Sequence, residues 1–159
     1  GDALISGYFN GGTNLGGGPL GSGGAMGAIA KLQALDGAHI HSKALTGGSV
    51  FQQDIAADTS GNALMTGHFF TTLDAGLGPM AAAGGADAYV VKLDGSGNVL
   101  WSKTAGDASS QYGSAVTSDL FDAVIVAGHF QGTLDWGTGP VVGPLGNNTD
   151  TLYLAKLSP

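Results

Sequence analysis

Gly67-His68-Phe69, followed by Asp74-Ala75-Gly76-Leu77-Gly78-Pro79, is one of three copies of the same short pattern. The first copy is Gly7-Tyr8-Phe9 with Asn14-Leu15-Gly16-Gly17-Gly18-Pro19. The third is Gly128-His129-Phe130 with Asp135-Trp136-Gly137-Thr138-Gly139-Pro140. The leading glycines stand 60 and then 61 residues apart. Two other markers keep that register: Gly-Pro at 18–19, 78–79 and 139–140, and Lys-Leu at 31–32, 92–93 and 156–157. A pattern that returns at a fixed spacing marks an array, and the repeat dictates the fold before any single residue does. Gly7, Gly67, Gly128, Pro19, Pro79 and Pro140 are read as architectural markers. Leu15, Ala75 and Trp136 fill the variable position, where a contact specific to function is expected.

Working outward, Val50 to Asp58, Asn62 to Phe70, Asp87 to Leu93 and Asn98 to Lys103 are four apolar or alternating runs. They are separated by Asp, Asn, Gly and Ser clusters, the signature of strands joined by turns. The first unit repeats the last three of these runs: Ala3 to Phe9, Met26 to Leu32 and Ala38 to Leu45. The third repeats the first three: Ser114 to Asp119, Ala123 to Phe130 and Asp150 to Leu157. The chain is therefore a single array over 1–159, with a partial unit at about 1–49, a complete one at 50–110 and a partial one at 111–159. Four antiparallel strands per unit predict all-β β-propeller blades, about two and a half of them, in an incomplete ring. A β-solenoid and a sandwich are the alternatives, though solenoid periods are usually shorter and a sandwich has no threefold internal similarity.

Composition agrees. All five basic residues are Lys and all twelve acidic residues are Asp, so the good helix formers Glu and Arg are missing. Thirty glycines without a Gly-X-Y triplet exclude collagen. A net charge of −7 with no Arg argues against nucleic acid and against an anionic membrane as partner. There is no Cys, hence no disulfide or thiolate chemistry. No apolar stretch long enough to insert in a membrane is present. The chain opens at Gly1 directly on an apolar run, as expected of a processed or excised segment.

The complete unit resembles the bacterial β-propeller repeat family often labelled SBBP. The matching motifs are Asp58-Thr59-Ser60-Gly61-Asn62, Thr66-Gly67-His68-Phe69, Thr72-Leu73-Asp74-Ala75-Gly76, Asp87-Ala88-Tyr89-Val90-Val91-Lys92-Leu93-Asp94 and Gly97-Asn98-Val99-Leu100-Trp101. The first unit is the most degenerate: Gly27 is read at the place of Asp87, and His41 at that of Trp101. The resemblance implies a large secreted or surface-associated bacterial protein with no shared catalytic residues.

A propeller closes its ring, usually with four to eight blades. Here the strand positions run 2-3-4, then 1-2-3-4, then 1-2-3, so two copies do not close neatly. Further blades or partner chains are expected to cover the open edges and apolar faces.

The candidate sites are few. Asp58-Thr59-Ser60-Gly61-Asn62 and Asp94-Gly95-Ser96-Gly97-Asn98 place oxygens as the start of a calcium loop does, which makes Asp58, Asp94 and Asn98 the metal candidates and Ca the one conceivable cofactor. The competing reading is a turn whose Asp and Asn bond their own backbone. His39 and His41, alternating onto one strand face, would offer two metal ligands without a third. His68 and His129, aligned with Tyr8, read as packing positions. Trp136 is the candidate for an exposed ligand contact, and a glycan is the ligand such a ring would stack on. No Gly-x-Ser-x-Gly or His-Glu-x-x-His pattern is present. The expectation is a non-catalytic extracellular or cell-surface scaffold that contacts protein, itself or glycan. The alternatives are a lectin-like module, a filament subunit with intermolecular strand pairing, and part of an enzyme completed by other blades.

Overall fold

The computed structural model describes residues 1–144 and 149–158; the remaining positions of the third unit lie outside the described residues. The first unit contributes β1 (Ala3–Asn10), β2 (Thr13–Asn14), β3 (Pro19–Leu20), β4 (Ala25–Leu32) and β5 (His39–Gly47). The second contributes β6 (Val50–Ala57), β7 (Ala63–Phe69), β8 (Thr72–Asp74), β9 (Met80–Ala81), β10 (Asp87–Leu93) and β11 (Val99–Ala105). The third contributes β12 (Gln111–Ser118), β13 (Val124–Phe130), β14 (Thr133–Leu134), β15 (Val141–Val142) and β16 (Thr151–Leu157). The fold is all-β, made of small antiparallel sheets, with no closed barrel among the described residues.

The central sheet β6-β7-β10-β11 is a four-stranded antiparallel meander, one blade. β1-β4-β5 is a blade without a first strand, and β12-β13-β16 is one without a fourth. Between the second and third strands of each blade lies a small hairpin: β2–β3, β8–β9 and β14–β15. Strands of two or three residues are too short to carry an alternating pattern in the sequence. β8 also pairs with the end of β5, tying the first blade to the second.

The first strand of a blade packs on the blade before it: β12 lies against β6 and β7, and β6 against β1. Each blade thus has a front face toward its predecessor and a back face toward its successor. Strand alternation sends neighbouring residues to opposite faces. Leu4 and Ile29 from the back of blade one meet Met65, Phe69, Tyr89 and Val91 from the front of blade two. Leu64, Ala88, Val90 and Trp101 from the back of blade two meet Val126, Phe130, Trp136 and Tyr153 from the front of blade three. The two cores are repeat-equivalent and lie between blades.

Phe9 pairs with Met26 as Phe69 pairs with Asp87, so Met26, not Gly27, holds the Asp87 place. β12 begins at Gln111 rather than Ser114, because Gln111 and Tyr112 pair with Phe130 and His129 ahead of a register shift. Trp136 is not an exposed contact: it is 6% accessible, inside the core between blades two and three. The hairpin folds back on its own blade and turns the variable position inward, where Ala75 is buried as well.

Candidate functional site

The repeated hairpin is built by one device. The side-chain oxygen of the residue before the variable position accepts two backbone N–H bonds across the loop. Asn14 Oδ1 takes them from Gly16 and Gly18 at 2.8 and 3.0 Å. Asp74 Oδ1 takes them from Gly76 and Gly78 at 2.6 and 3.3 Å. Asp135 Oδ1 takes them from Gly137 and Gly139 at 2.7 and 3.1 Å. Gly76 and Gly78 both have φ of 107°, a conformation that excludes most side chains. The spacing Asp-x-Gly-x-Gly is therefore the stereochemistry of a turn.

The calcium-like turns resolve in the same way. Asp58 Oδ1 accepts the Asn62 N–H at 2.8 Å and Oδ2 accepts Asn62 Nδ2 at 2.9 Å, with Lys92 Nζ also 2.9 Å from Oδ2. Asp94 Oδ1 accepts the N–H groups of Ser96 and Asn98, each at 2.9 Å, while Oδ2 accepts Asn98 Nδ2. Asn98 thus spends its amide on Asp94. Both carboxylates are held below the usual range. Burial opposes this at Asp58, but the Asn62 and Lys92 bonds outweigh it. At Asp94 the Asn98 bonds dominate. These carboxylates face donors, and among the described residues no group of three or more His, Cys, Asp or Glu could hold a metal ion. In blade three the corresponding pair is Lys156 Nζ to Asp119 Oδ2 at 2.6 Å. The Lys of the Lys-Leu marker and the Asp that opens the first turn are thus one ion pair, seen in two blades.

His39 and His41 do not share a face. His41 pairs with Lys31 and His39 with Leu32, so Ile40 is an extra residue in a bulge and the alternation breaks between them. His39 Nε2 lies 3.0 Å from Ser42 Oγ, and its ring covers Gly16 and Gly17. The His41 ring packs on Gly97 of the next blade.

Sequence reasoning missed an aromatic ladder across all three blades. Tyr8 meets Phe51 edge-on at 5.5 Å, and Phe51 stacks on His68 at 5.1 Å. His68 meets Tyr112 at 4.7 Å, and Tyr112 stacks on His129 at 4.7 Å. Position 8, 68 or 129 of each second strand alternates with Phe51 or Tyr112 of a first strand. The signal was available: Phe51 and Tyr112 are one repeat apart and both aromatic.

No family model matches the chain, and no curated protein matches it.

Large apolar side chains are exposed at both ends of the array. The back of blade three presents Leu152 at 86% and Leu154 at 75% accessibility, whereas Ala88 and Val90 in the corresponding places of blade two are at 0%. The turn beside them carries Leu120 and Phe121, both exposed, where blade two has Thr59 and Ser60. The front of blade one exposes Ile5, the counterpart of the buried Met65.

Proposed function

We propose that this chain is a run of β-propeller blades serving as a non-catalytic, extracellular structural and adhesive scaffold. It works by contact: its open blade faces and sheet edges take protein partners, copies of itself included. The observation that carries this reading is the exposure of Leu152 and Leu154 in places that are fully buried one blade earlier. Exposed contiguous apolar surface marks an interaction site in a folded protein. Nine of the twelve aspartates lie outside the strands, and the net charge of −7 favours solubility while the end faces remain apolar. The extracellular, bacterial assignment is supported by the resemblance of 58–101 to bacterial propeller repeats. No helix among the described residues is long and apolar enough to cross a membrane.

Two measurements test the reading. Leu152→Asp/Leu154→Asp should keep the far-ultraviolet spectrum of the parent and lose most of its binding of an apolar dye such as ANS. Unchanged dye binding would remove the apolar face on which the reading stands. Protease shaving of intact source cells should release fragments of the chain, and complete protection would place it elsewhere.

A further inference from the structure

The two end faces differ in a complementary way. In blade two the Tyr89 ring lies over Gly67, and in blade three the Tyr153 ring lies over Gly128. The pairing Gly67↔Tyr89 recurs as Gly128↔Tyr153 and, in blade one, as Gly7↔Ala28. Blade one thus has a methyl group where the others carry a phenol. A Cβ built on Gly7 would meet nothing within 4 Å. The vacated slot is an apolar cavity of about 170 Å³, lined by Ile5, Gly7, Phe9, Leu15 and Ala28 among others.

At each closed interface the tyrosine is faced by modest side chains. Gly27 and Ile29 flank the Ala28 position on blade one, and Ile29 shares a core with Tyr89. Ala88 and Val90 of blade two share a core with Tyr153. Blade three breaks this rule, presenting the bulkier Leu152 and Leu154. A face with large knobs needs a small residue opposite, and interfaces are packed as tightly as interiors. Blade one supplies that residue in Ala28.

The adjacent turns follow the same logic. Between blades two and three, Asp122 Oδ1 accepts the Thr59 N–H at 2.8 Å and the Thr59 hydroxyl at 2.6 Å, and Oδ2 accepts the Ser60 hydroxyl. Blade three offers Leu120 and Phe121 in place of Thr59 and Ser60, and the blade-one residue in register with Asp122 is Gly1. Neither side has the polar half of that latch.

We propose that the back of blade three docks on the front of blade one of a second copy, with Leu152 and Leu154 seated in the slot over Gly7. The partner is another molecule of this chain, and the contact is head-to-tail, using a different surface on each copy. It brings together the same two kinds of face that meet twice within the chain, here through the second and third strands of each blade, since blade one has no first strand and blade three no fourth. The inference rests on the contact reading above and names its partner.

Ala28→Tyr refills the slot with the residue that blades two and three accept over glycine. Leu152→Asp/Leu154→Asp disables the other face. In sedimentation velocity the parent should self-associate, and each variant alone should do so more weakly by roughly thirtyfold or more, as loss of a buried anchor gives. An equimolar mixture of the two should form a heterodimer and nothing larger, since each variant keeps one working face. Leu15→Arg, at the rim of the slot, serves as a second block should Ala28→Tyr disturb folding. If the slot variants associate like the parent while the leucine variant does not, the head-to-tail inference is overturned and the contact reading stands. A mixture that stays monomeric, or a parent that does not self-associate, also overturns the inference. If the leucine variant too associates like the parent and binds ANS unchanged, the contact reading falls as well.

Discussion

Gly67 lies where a first strand runs closest to a second. A Cβ there would strike the Phe51 carbonyl oxygen and press on the Tyr89 ring at 3.0 Å. Gly128 is hemmed in by the Tyr112 carbonyl and Tyr153, whereas Gly7 has open space because blade one has no first strand and carries Ala28. Gly67→Ala and Gly128→Ala should therefore each lower stability by about 2–3 kcal/mol, as overpacking of a rigid site does. Gly7→Ala should stay within about 0.5 kcal/mol of the parent, as a substitution into open space does. Urea unfolding of the three variants checks this, and equal effects would mean that the glycines are needed for something other than clearance. Asp122 has φ of 61° at the counterpart of Gly61, and its bonds to Thr59 and Ser60 hold it in that conformation.

At the scale of the element, the histidine ladder sets a pH dependence. Burial among aromatic rings, and then the nearby His129, push the His68 imidazole below its ordinary value of 6.5. The folded chain therefore binds fewer protons there than the unfolded chain just below that pH. The stabilisation is complete above pH 6.5 and is lost progressively as pH falls from 6.5 toward the lowered folded value. His41 adds to the same window, since burial and then Lys31 and His39 lower it too. His68→Phe keeps an aromatic ring in the ladder and should flatten, without abolishing, the loss of unfolding free energy on acidification below pH 6.5. An unchanged slope would show that His68 titrates normally. Asp58 and Asp94, held below their ordinary 3.8, lose their contribution only at lower pH, so the two effects separate.

For the whole molecule, position in the array decides local stability. Blade two is covered on both faces by the two cores, while blades one and three are each covered on one. Burying a Leu, Phe or Val side chain contributes about 1.5–3 kcal/mol, so a one-sided blade forgoes several such terms. In hydrogen exchange at low protein concentration, amides of β7 and β10 should exchange most slowly and those of β1 and β16 fastest. Uniform protection would mean that the three blades open as a single unit.

Strand content and the turn chemistry of the Asp-led loops were legible in the sequence. They rest on period-two alternation, on Asp-x-x-Gly-Asn and Asp-x-Gly-x-Gly spacings, and on recurrence at fixed distance, all short-range stereochemistry that a single chain records. The side on which a residue ends up was not legible. Ile40 sits in a bulge that only pairing with β4 creates, and it parts His39 from His41. The hairpin tip turns Trp136 onto a core because another blade lies there. Ala28 becomes the floor of a slot only through what Tyr89 and Tyr153 do over the matching glycines. Local pattern determined what the blades of this protein are. Contacts between strands far apart in the chain decided which faces they bury and which they leave open, because packing against a neighbour is a property of two surfaces together.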